Sequence, residues 1–268
     1  MTSAASRTIN FPGATVEVFA KAPAACLSAA DRIAEIVKLS VAARGKAVLG
    51  LATGGTPVPV YQRLVELFRA GSISFQDVTT YNLDEYYPIS PADPNSYRSY
   101  MHRHLLGHVN LAPNRAHLLD GTVPEAFASE HAKAFDRWIA ADGGLDFQLL
   151  GIGRNGHVAF NEPSDLSVEE ACALPTRLVN LHPVTLADAA KDFGDAALVP
   201  RRALTMGVAP ILAARSILVL AFGPGKAEAV ASALTGPQTA SCPASLLRTA
   251  AGRVTWLIDE PAARGLRD

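Results

Sequence analysis

The sequence is poor in cysteine and has no excess of either charge. Its three cysteines, Cys26, Cys172 and Cys242, are far apart and form no C-x-x-C pair, which fits a reducing compartment best. Lys and Arg number 24 against 25 Asp and Glu, for a net charge of -1. This balance points to no nucleic-acid partner and to no charged tail.

The sequence also gives no sign of a membrane partner. No apolar run approaches the roughly 18 residues that span a bilayer. Residues 1–10 lack the apolar core of a signal peptide. We therefore expect a cytoplasmic protein. Hydrophobic residues make up 49% of the 268, which is enough for a sizeable buried core.

Short apolar segments of strand length alternate with segments of helical periodicity. The predicted strands are Ala47–Leu51, Val78–Leu83, Phe147–Gly151, Ile217–Ala221 and Val254–Ile258. The predicted helices are Pro57–Ala70, Pro124–Ala141 and Lys226–Leu234. Continuously apolar strands suit a sheet covered on both faces, and the alternation predicts an α/β fold with a doubly wound, mainly parallel sheet.

One segment interrupts this alternation. Pro163–Pro200 mixes short helical pieces with internal prolines, and we interpret it as a small helical lid inserted beside the site. A pair of ordinary surface helices fits the pattern equally well. The expected organisation is a single α/β domain over residues 1–268 with this insertion.

Two turns that follow predicted strands are suited to bind an anion. In the first, Thr53, Gly54, Gly55 and Thr56 precede a predicted helix, so free N–H groups and the helix dipole would face a ligand. The segment matches neither nucleotide-binding glycine pattern, and a tight turn with a threonine cap is the alternative. In the second, Lys226 would begin a helix, an unfavourable place for a cation unless an anion lies nearby.

Acidic residues follow the strand Val78–Leu83. Asp84 and Glu85 come at the carboxyl end of this strand, where ligands bind in open α/β sheets. Adjacent side chains point in different directions, so one of the two is expected to face the ligand. Capping of the next turn by both carboxylates is the alternative.

A glycine-rich segment after the strand Phe147–Gly151 contains His157 and Glu162. A histidine paired with a carboxylate can move protons near neutral pH. A lone loop histidine is the alternative. His102, His104 and His108 lack the glutamate of an H-E-x-x-H zinc motif, so no metal site is expected.

The order of these motifs resembles that of glucosamine-6-phosphate deaminases, within a wider group of sugar-phosphate isomerases and lactonases. The matching segments are Gly50–Pro57, Asn82–Tyr86, Asn95–Val109, Gly151–Pro163, Ala203–Gly207 and Phe222–Lys226. The resemblance implies an enzyme that turns an amino-sugar phosphate into a ketose phosphate and ammonia, with no metal or organic cofactor. Its partner would be the sugar phosphate, with a homo-oligomer as an open possibility.

The resemblance also implies residue roles. Asp84 matches the base that moves a proton between C2 and C1 of the sugar, while His157 and Glu162 match the pair that assists ring opening. Asn155 stands where many relatives carry Asp, and we interpret it as tuning that pair. The implied phosphate contacts are Thr53, Gly54, Gly55, Thr56 and Lys226, with Lys191 as the best match to a lid arginine of the family.

Three other functions remain open at this level. A galactosamine-6-phosphate deaminase would use the same residues. A 6-phosphogluconolactonase usually lacks the continuation seen at Phe160–Pro163 and carries Arg where this chain has Tyr86. A non-catalytic sugar-phosphate sensor would not need Asp84, His157 and Glu162 together. Arg177 resembles one part of the family's allosteric site, but the short C-terminal segment predicts no such activation and a small assembly.

Overall fold

In the computed structural model, which describes residues 5–266, the strands divide between two sheets. In chain order they are β1 (Arg7–Phe11), β2 (Ala14–Phe19), β3 (Ala47–Leu51), β4 (Val78–Asn82), β5 (Asp84–Tyr87), β6 (Ala116–His117), β7 (Phe147–Gly151), β8 (Arg177–Asn180), β9 (Arg202–Thr205), β10 (Ile217–Ala221) and β11 (Val254–Asp259). All five predicted strands are present.

The larger sheet has the order β1-β2-β11-β10-β7-β3-β4-β6. Only the edge pair β1–β2 is antiparallel, and the remaining pairings are parallel. Every residue of β3, β4 and β10 is buried, so both faces of the sheet are covered at its centre. The predicted α/β fold with a mainly parallel sheet is confirmed.

The helices connect these strands. They are α1 (Ala22–Arg44), α2 (Val58–Arg69), α3 (Tyr97–His104), α4 (Glu125–Ala141), α5 (Val168–Cys172), α6 (Pro183–Phe193), α7 (Val208–Ala213) and α8 (Ala227–Thr235). The long helix α1 packs on α2, β3 and β11 through small and branched side chains, including Ala29 and Ile33. Within residues 5–266, no helix has both the length and the apolar character needed to cross a membrane.

The direction of the connections reverses at the centre of the larger sheet. From β3 the chain continues through α2 to its neighbour β4, whereas β10 pairs with β7 on the opposite side. A crevice forms at the carboxyl ends of strands where such a reversal occurs. The loops after β3 and β7 therefore meet where a ligand is expected.

The smaller sheet explains an error in one predicted boundary. The predicted strand Val78–Leu83 ends at Asn82, and the chain enters the antiparallel sheet β5-β9-β8 directly afterwards. Leu83 links the two sheets, since its N–H donates to Leu51 O at 3.1 Å and its carbonyl accepts from Met206 N at 2.6 Å. An apolar residue in extended backbone fits either sheet, so its side chain alone could not mark the change.

The segment Pro163–Pro200 contains a strand as well as helices. It comprises α5, β8 and α6, and β8 pairs with β9 through Arg177↔Thr205 and the residues that follow. Interpreting it as two ordinary surface helices was therefore wrong. Its strand anchors it to the smaller sheet, while α6 lies over the crevice; its action as a lid stays a prediction.

Candidate active site

A cavity of about 310 Å³ lies at the carboxyl ends of β3, β4, β7 and β10. Loops from all four strands contribute to its wall, and α6 covers one side through Thr185, Asp188 and Ala189. The predicted site residues that line it are Thr53, Gly54, Gly55, Thr56, Asp84, His157 and Lys226. Residues more than 170 positions apart in the chain thus line one cavity.

The turn after β3 presents unused backbone donors to this cavity. Gly54 has a φ of 98°, a left-handed conformation that favours glycine. Within the described part of the chain, the N–H groups of Gly54, Gly55 and Thr56 donate to no acceptor. The Tyr100 hydroxyl donates to Gly54 O at 2.6 Å, and this hydrogen bond fixes the turn. Free N–H groups just before α2 are suited to bind an anion.

Lys226, which follows β10, also lines the cavity. Its Nζ donates to Ile152 O, in the loop after β7, at 2.7 Å. Burial lowers the pKa of Lys226, while the nearby Asp188 carboxylate opposes this effect. A half-buried ammonium with one neutral acceptor retains two donors for an anion.

Asp84 is buried in the cavity wall. Its side chain is 6% exposed, and no described residue donates a hydrogen bond to its carboxylate. Burial, with a smaller contribution from the Glu85 carboxylate, raises the pKa of Asp84 to about 8. An unsolvated carboxylate favours its protonated form, so this group binds a proton much more tightly than an ordinary aspartate.

The adjacent Glu85 faces away from the cavity and has a structural role. Its carboxylate accepts hydrogen bonds from the N–H groups of Tyr86, Tyr97 and Arg98 at 2.9–3.0 Å. It thereby caps the start of α3. Burial raises the pKa of Glu85 to about 7 even though the three donors oppose it. Each of the two alternatives therefore holds for one residue of the acidic pair: Asp84 faces the cavity and Glu85 caps a helix.

His157 belongs to a hydrogen-bonded network beside the cavity. Its Nδ1 lies 2.8 Å from Asn155 Oδ1 and 3.3 Å from Glu162 Oε2. Asn155 Nδ2 donates to Glu162 Oε2 at 3.0 Å, and the Thr185 hydroxyl donates to Glu162 Oε1 at 2.6 Å. These bonds fix the ring, and Nε2 has no acceptor or donor within the described residues.

The charge of Glu162 depends on this network. Burial by itself would raise its pKa, but the His157 ring and the Thr185 and Asn155 donors lower the pKa of Glu162 to about 2. The carboxylate is therefore ionised across the physiological range and places a negative charge 3.3 Å from Nδ1 of the His157 ring.

The glycine-rich loop after β7 makes this arrangement sterically possible. A Cβ on Gly153 would lie 2.3 Å from atoms of the His157 ring. Gly156 has a φ of 82°, and a Cβ there would lie 2.8 Å from Cys242 Sγ. Ala159, which also lines the cavity, has a φ of 51°, an uncommon conformation for a residue with a side chain.

The segment Phe160–Pro163 holds Glu162 in place. Asn161 Nδ2 donates to Val158 O at 3.0 Å and to Met206 O at 2.9 Å. Its Oδ1 accepts from Arg177 Nη1 at 2.8 Å, so Arg177 has a structural contact within this chain. Phe160 N donates to the Thr205 hydroxyl at 3.0 Å. The motif therefore fixes the loop that carries the Glu162 carboxylate.

The structure differs from the sequence expectation at α6. Lys191, the expected lid cation, is exposed and lies outside the residues that line the cavity. The sequence analysis missed Thr185, Asp188 and Arg154, which join α6 to the loop after β7. Thr185 and Asp188 are three residues apart, so they lie on one face of a helix, and this spacing could have indicated that they act together.

The described residues contain no cluster of three or more His, Cys, Asp or Glu side chains arranged to hold a metal ion. The histidines on and after α3 have other contacts. His104 packs against the Tyr100 ring at 4.5 Å between centroids, and His108 Nε2 lies 2.8 Å from Arg103 O.

Comparison with known proteins identifies similar sequences and folds. Residues 20–256 match the sequence model of the glucosamine-6-phosphate isomerases/6-phosphogluconolactonase family. A glucosamine-6-phosphate deaminase of Rhodopirellula baltica is 44% identical over 88% of this chain and 91% of its own. Glucosamine-6-phosphate deaminase 2 of Bacillus subtilis is 42% identical over 87% of this chain and 92% of its own.

Two solved structures share the fold. A monomeric glucosamine-6-phosphate deaminase superposes with a TM-score of 0.86 at 38% identity, covering 93% of this chain and 99% of the other. A 6-phosphogluconolactonase of Trypanosoma brucei has a TM-score of 0.74 at 21% identity, covering 94% of this chain and 98% of the other. The second likeness concerns the fold alone.

Proposed function

The chain belongs to the glucosamine-6-phosphate isomerase/6-phosphogluconolactonase family, and on that premise we propose that it converts glucosamine 6-phosphate and water to fructose 6-phosphate and ammonia. The observation that carries the proposal is the composition of one cavity. It combines an unpartnered buried carboxylate, Asp84, with a histidine held by an ionised glutamate and with an anion-binding turn.

The phosphate would bind at the turn after β3. The N–H groups of Gly54, Gly55 and Thr56, which donate to no acceptor among the described residues, would bind it. The Thr53 and Thr56 hydroxyls and the Lys226 ammonium, which line the same cavity, would be further donors. Fixing the phosphate orients the rest of the sugar, and such positioning lowers the barrier without taking part in the chemistry.

Ring opening is the first chemical step, because C2 becomes acidic only beside an open-chain aldehyde. His157 would take the proton of the C1 hydroxyl on Nε2 and return one to the ring oxygen. The Glu162 carboxylate, 3.3 Å from Nδ1, stabilises the transient imidazolium. Asn155 Oδ1 accepts the Nδ1 proton at 2.8 Å, which leaves Nε2 available to the substrate.

Proton transfer between carbons is the second step. The Asp84 carboxylate would remove the C2 proton while the aldehyde oxygen O1 takes a proton from the substrate ammonium, which gives an enolamine. Asp84 would then return its proton to C1. The resulting imine at C2 adds water and releases ammonia, leaving a ketose. Because burial raises its pKa to about 8, Asp84 is a stronger base than a solvated aspartate once it is ionised.

The contacts of Phe160–Pro163 favour this reaction over lactone hydrolysis on the same fold. A lactonase needs a base for water but no second carboxylate to support ring opening. Here a whole motif, anchored by Asn161 to Val158 and Met206, holds Glu162 against His157. That arrangement suits opening of the sugar ring, a step that the isomerase requires and the lactonase does not.

The test is an incubation of the purified chain with glucosamine 6-phosphate, measuring ammonia and fructose 6-phosphate together. We expect equimolar release of both products. Release of neither product by the folded protein would contradict the proposal, and hydrolysis of 6-phosphogluconolactone would then favour the lactonase. Galactosamine 6-phosphate at matched concentration tests the preferred C4 epimer.

A further inference from the structure

One cation beside the cavity has no part in the roles described above. Arg154, in the loop after β7, donates two hydrogen bonds to Asp188 on α6, with Nε–Oδ2 and Nη2–Oδ1 distances of 3.0 and 2.6 Å. Asp188 lines the cavity, so this ion pair lies at its edge. Both partners are about half exposed.

The position of Arg154 follows from the strand order. β7 lies between β10 and β3, whose following loops carry Lys226 and the Gly54–Gly55 turn. Lys226 Nζ contacts Ile152, two residues before Arg154. Arg154 and Asp188 are both near enough to shift the pKa of Lys226, although burial has the largest effect on it. Arg154 therefore lies close to Lys226, which lines the cavity.

The Arg154–Asp188 pair is poorly suited to a purely structural role. Solvent screens a half-exposed ion pair, so it contributes little to stability. Asp188 also places a negative charge where a phosphate dianion would bind. A phosphate offers the planar guanidinium the same two-point contact as a carboxylate with more charge. Arg154 and Lys191 are both exposed and lie outside the cavity lining, but Arg154 is bonded to Asp188, which lines the cavity.

We propose that Arg154 binds the substrate phosphate, leaving Asp188 when the phosphate enters. Asp188 holds the guanidinium in position beforehand and couples the phosphate site to α6. This inference rests on the proposed function, since it places a sugar phosphate in this cavity.

The experiment titrates the full chain with inorganic phosphate by calorimetry and measures KM and kcat for glucosamine 6-phosphate. We expect Arg154→Gln to raise the phosphate Kd and the KM roughly 10- to 100-fold, the range for a lost hydrogen bond to a charged group. The kcat should change much less. Asp188→Asn should lower the phosphate Kd, because it removes a competing carboxylate. Arg137→Gln, which breaks the exposed Arg137–Glu130 pair on α4, is the matched control.

Two results with the variants would overturn the inference. One is a phosphate Kd for Arg154→Gln within about twofold of the unmodified chain, above all if Lys191→Gln raises it instead. The other is that Asp188→Asn weakens phosphate binding as much as Arg154→Gln does. That result would mean that the ion pair only stabilises the local structure. An unmodified chain that binds no phosphate also overturns it. Phosphate binding without turnover refutes the proposed reaction alone.

Discussion

Asp84 and Glu162 are both buried acids of the same site, yet their surroundings act in opposite directions. Asp84 accepts no hydrogen bond from the described residues, and burial raises its pKa to about 8. Glu162 accepts bonds from Asn155 and Thr185 and lies beside His157, which lower its pKa to about 2 despite burial. Two carboxyl groups with separated pKa values can take different roles in one reaction.

The difference shows that burial alone does not set the state of an acid. Burial raises the pKa of both groups, and the number of polar partners decides the outcome. The partners of Glu162 come from a loop and from α6, whereas Asp84 enters β5 directly from the larger sheet. Replacing either Asp84 or Glu162 therefore tests this contrast.

The largest expected effect is on turnover. Asp84→Asn removes the group that can accept the C2 proton, so kcat should fall about 10²–10⁴-fold. Inorganic phosphate should still bind, because the Gly54–Gly55 turn is unchanged. Product assays and calorimetry measure the two effects. Asp192→Asn, which alters another carboxylate lining the cavity, is the matched control and should change kcat by less than about threefold. Unchanged turnover in Asp84→Asn would contradict the assignment of the base.

A smaller effect is expected from Glu162→Gln. The amide keeps hydrogen-bonding capacity but not the charge that stabilises a protonated His157, so kcat should fall roughly 10- to 100-fold. The KM should change little, since Glu162 contacts His157, Asn155 and Thr185 and not the residues of the Gly54–Gly55 turn. Steady-state kinetics separates the two parameters. A selective rise in KM would mean that Glu162 acts in binding instead.

The smallest expected effect is on the free energy of unfolding, and its sign differs between Asp84→Asn and Glu162→Gln. The raised pKa of Asp84 means that the folded state binds its proton more tightly than the unfolded chain does. This stabilisation is lost as the pH rises from about 4 to about 8. The lowered pKa of Glu162 gives stability above about pH 4 that is lost as the pH falls towards about 2.

Unfolding by urea at several pH values tests these signs. At pH 8, Asp84→Asn should stabilise the protein by roughly 2 kcal/mol relative to the unmodified chain, and Glu162→Gln should destabilise it by about 1–3 kcal/mol. The Asp84→Asn difference should shrink as the pH falls from about 8 to about 4, and the Glu162→Gln difference as the pH falls from about 4 to about 2. If both variants changed the free energy of unfolding in the same direction, the surroundings of Asp84 and Glu162 would not have opposite effects on the two pKa values.

Much of the fold was predictable from local pattern. The apolar strands Ala47–Leu51 and Ile217–Ala221 have the predicted bounds, and family membership is confirmed by sequence and structure. Such strands are recognisable because a sheet covered on both faces needs uninterrupted apolar residues. Strand β8 was missed, since half-buried Arg177–Asn180 carries no such run.

The sequence by itself determined which chemical groups are available: an anion-binding turn, a histidine followed by a glutamate, and an acidic pair at a strand end. Glycine, proline and apolar periodicity act over a few residues, so these features can be found without a fold.

Only the tertiary structure decided what each group does. Asp84 faces the cavity and Glu85 caps α3 because the chain changes sheets at Leu83. Glu162 is ionised through its contacts with His157 and with Thr185, 23 residues away. Arg154 pairs with Asp188 at the edge of the cavity, whereas Lys191 lies exposed outside it. Charge state depends on partners and solvent within a few ångströms, and folding brings those partners from distant parts of the chain.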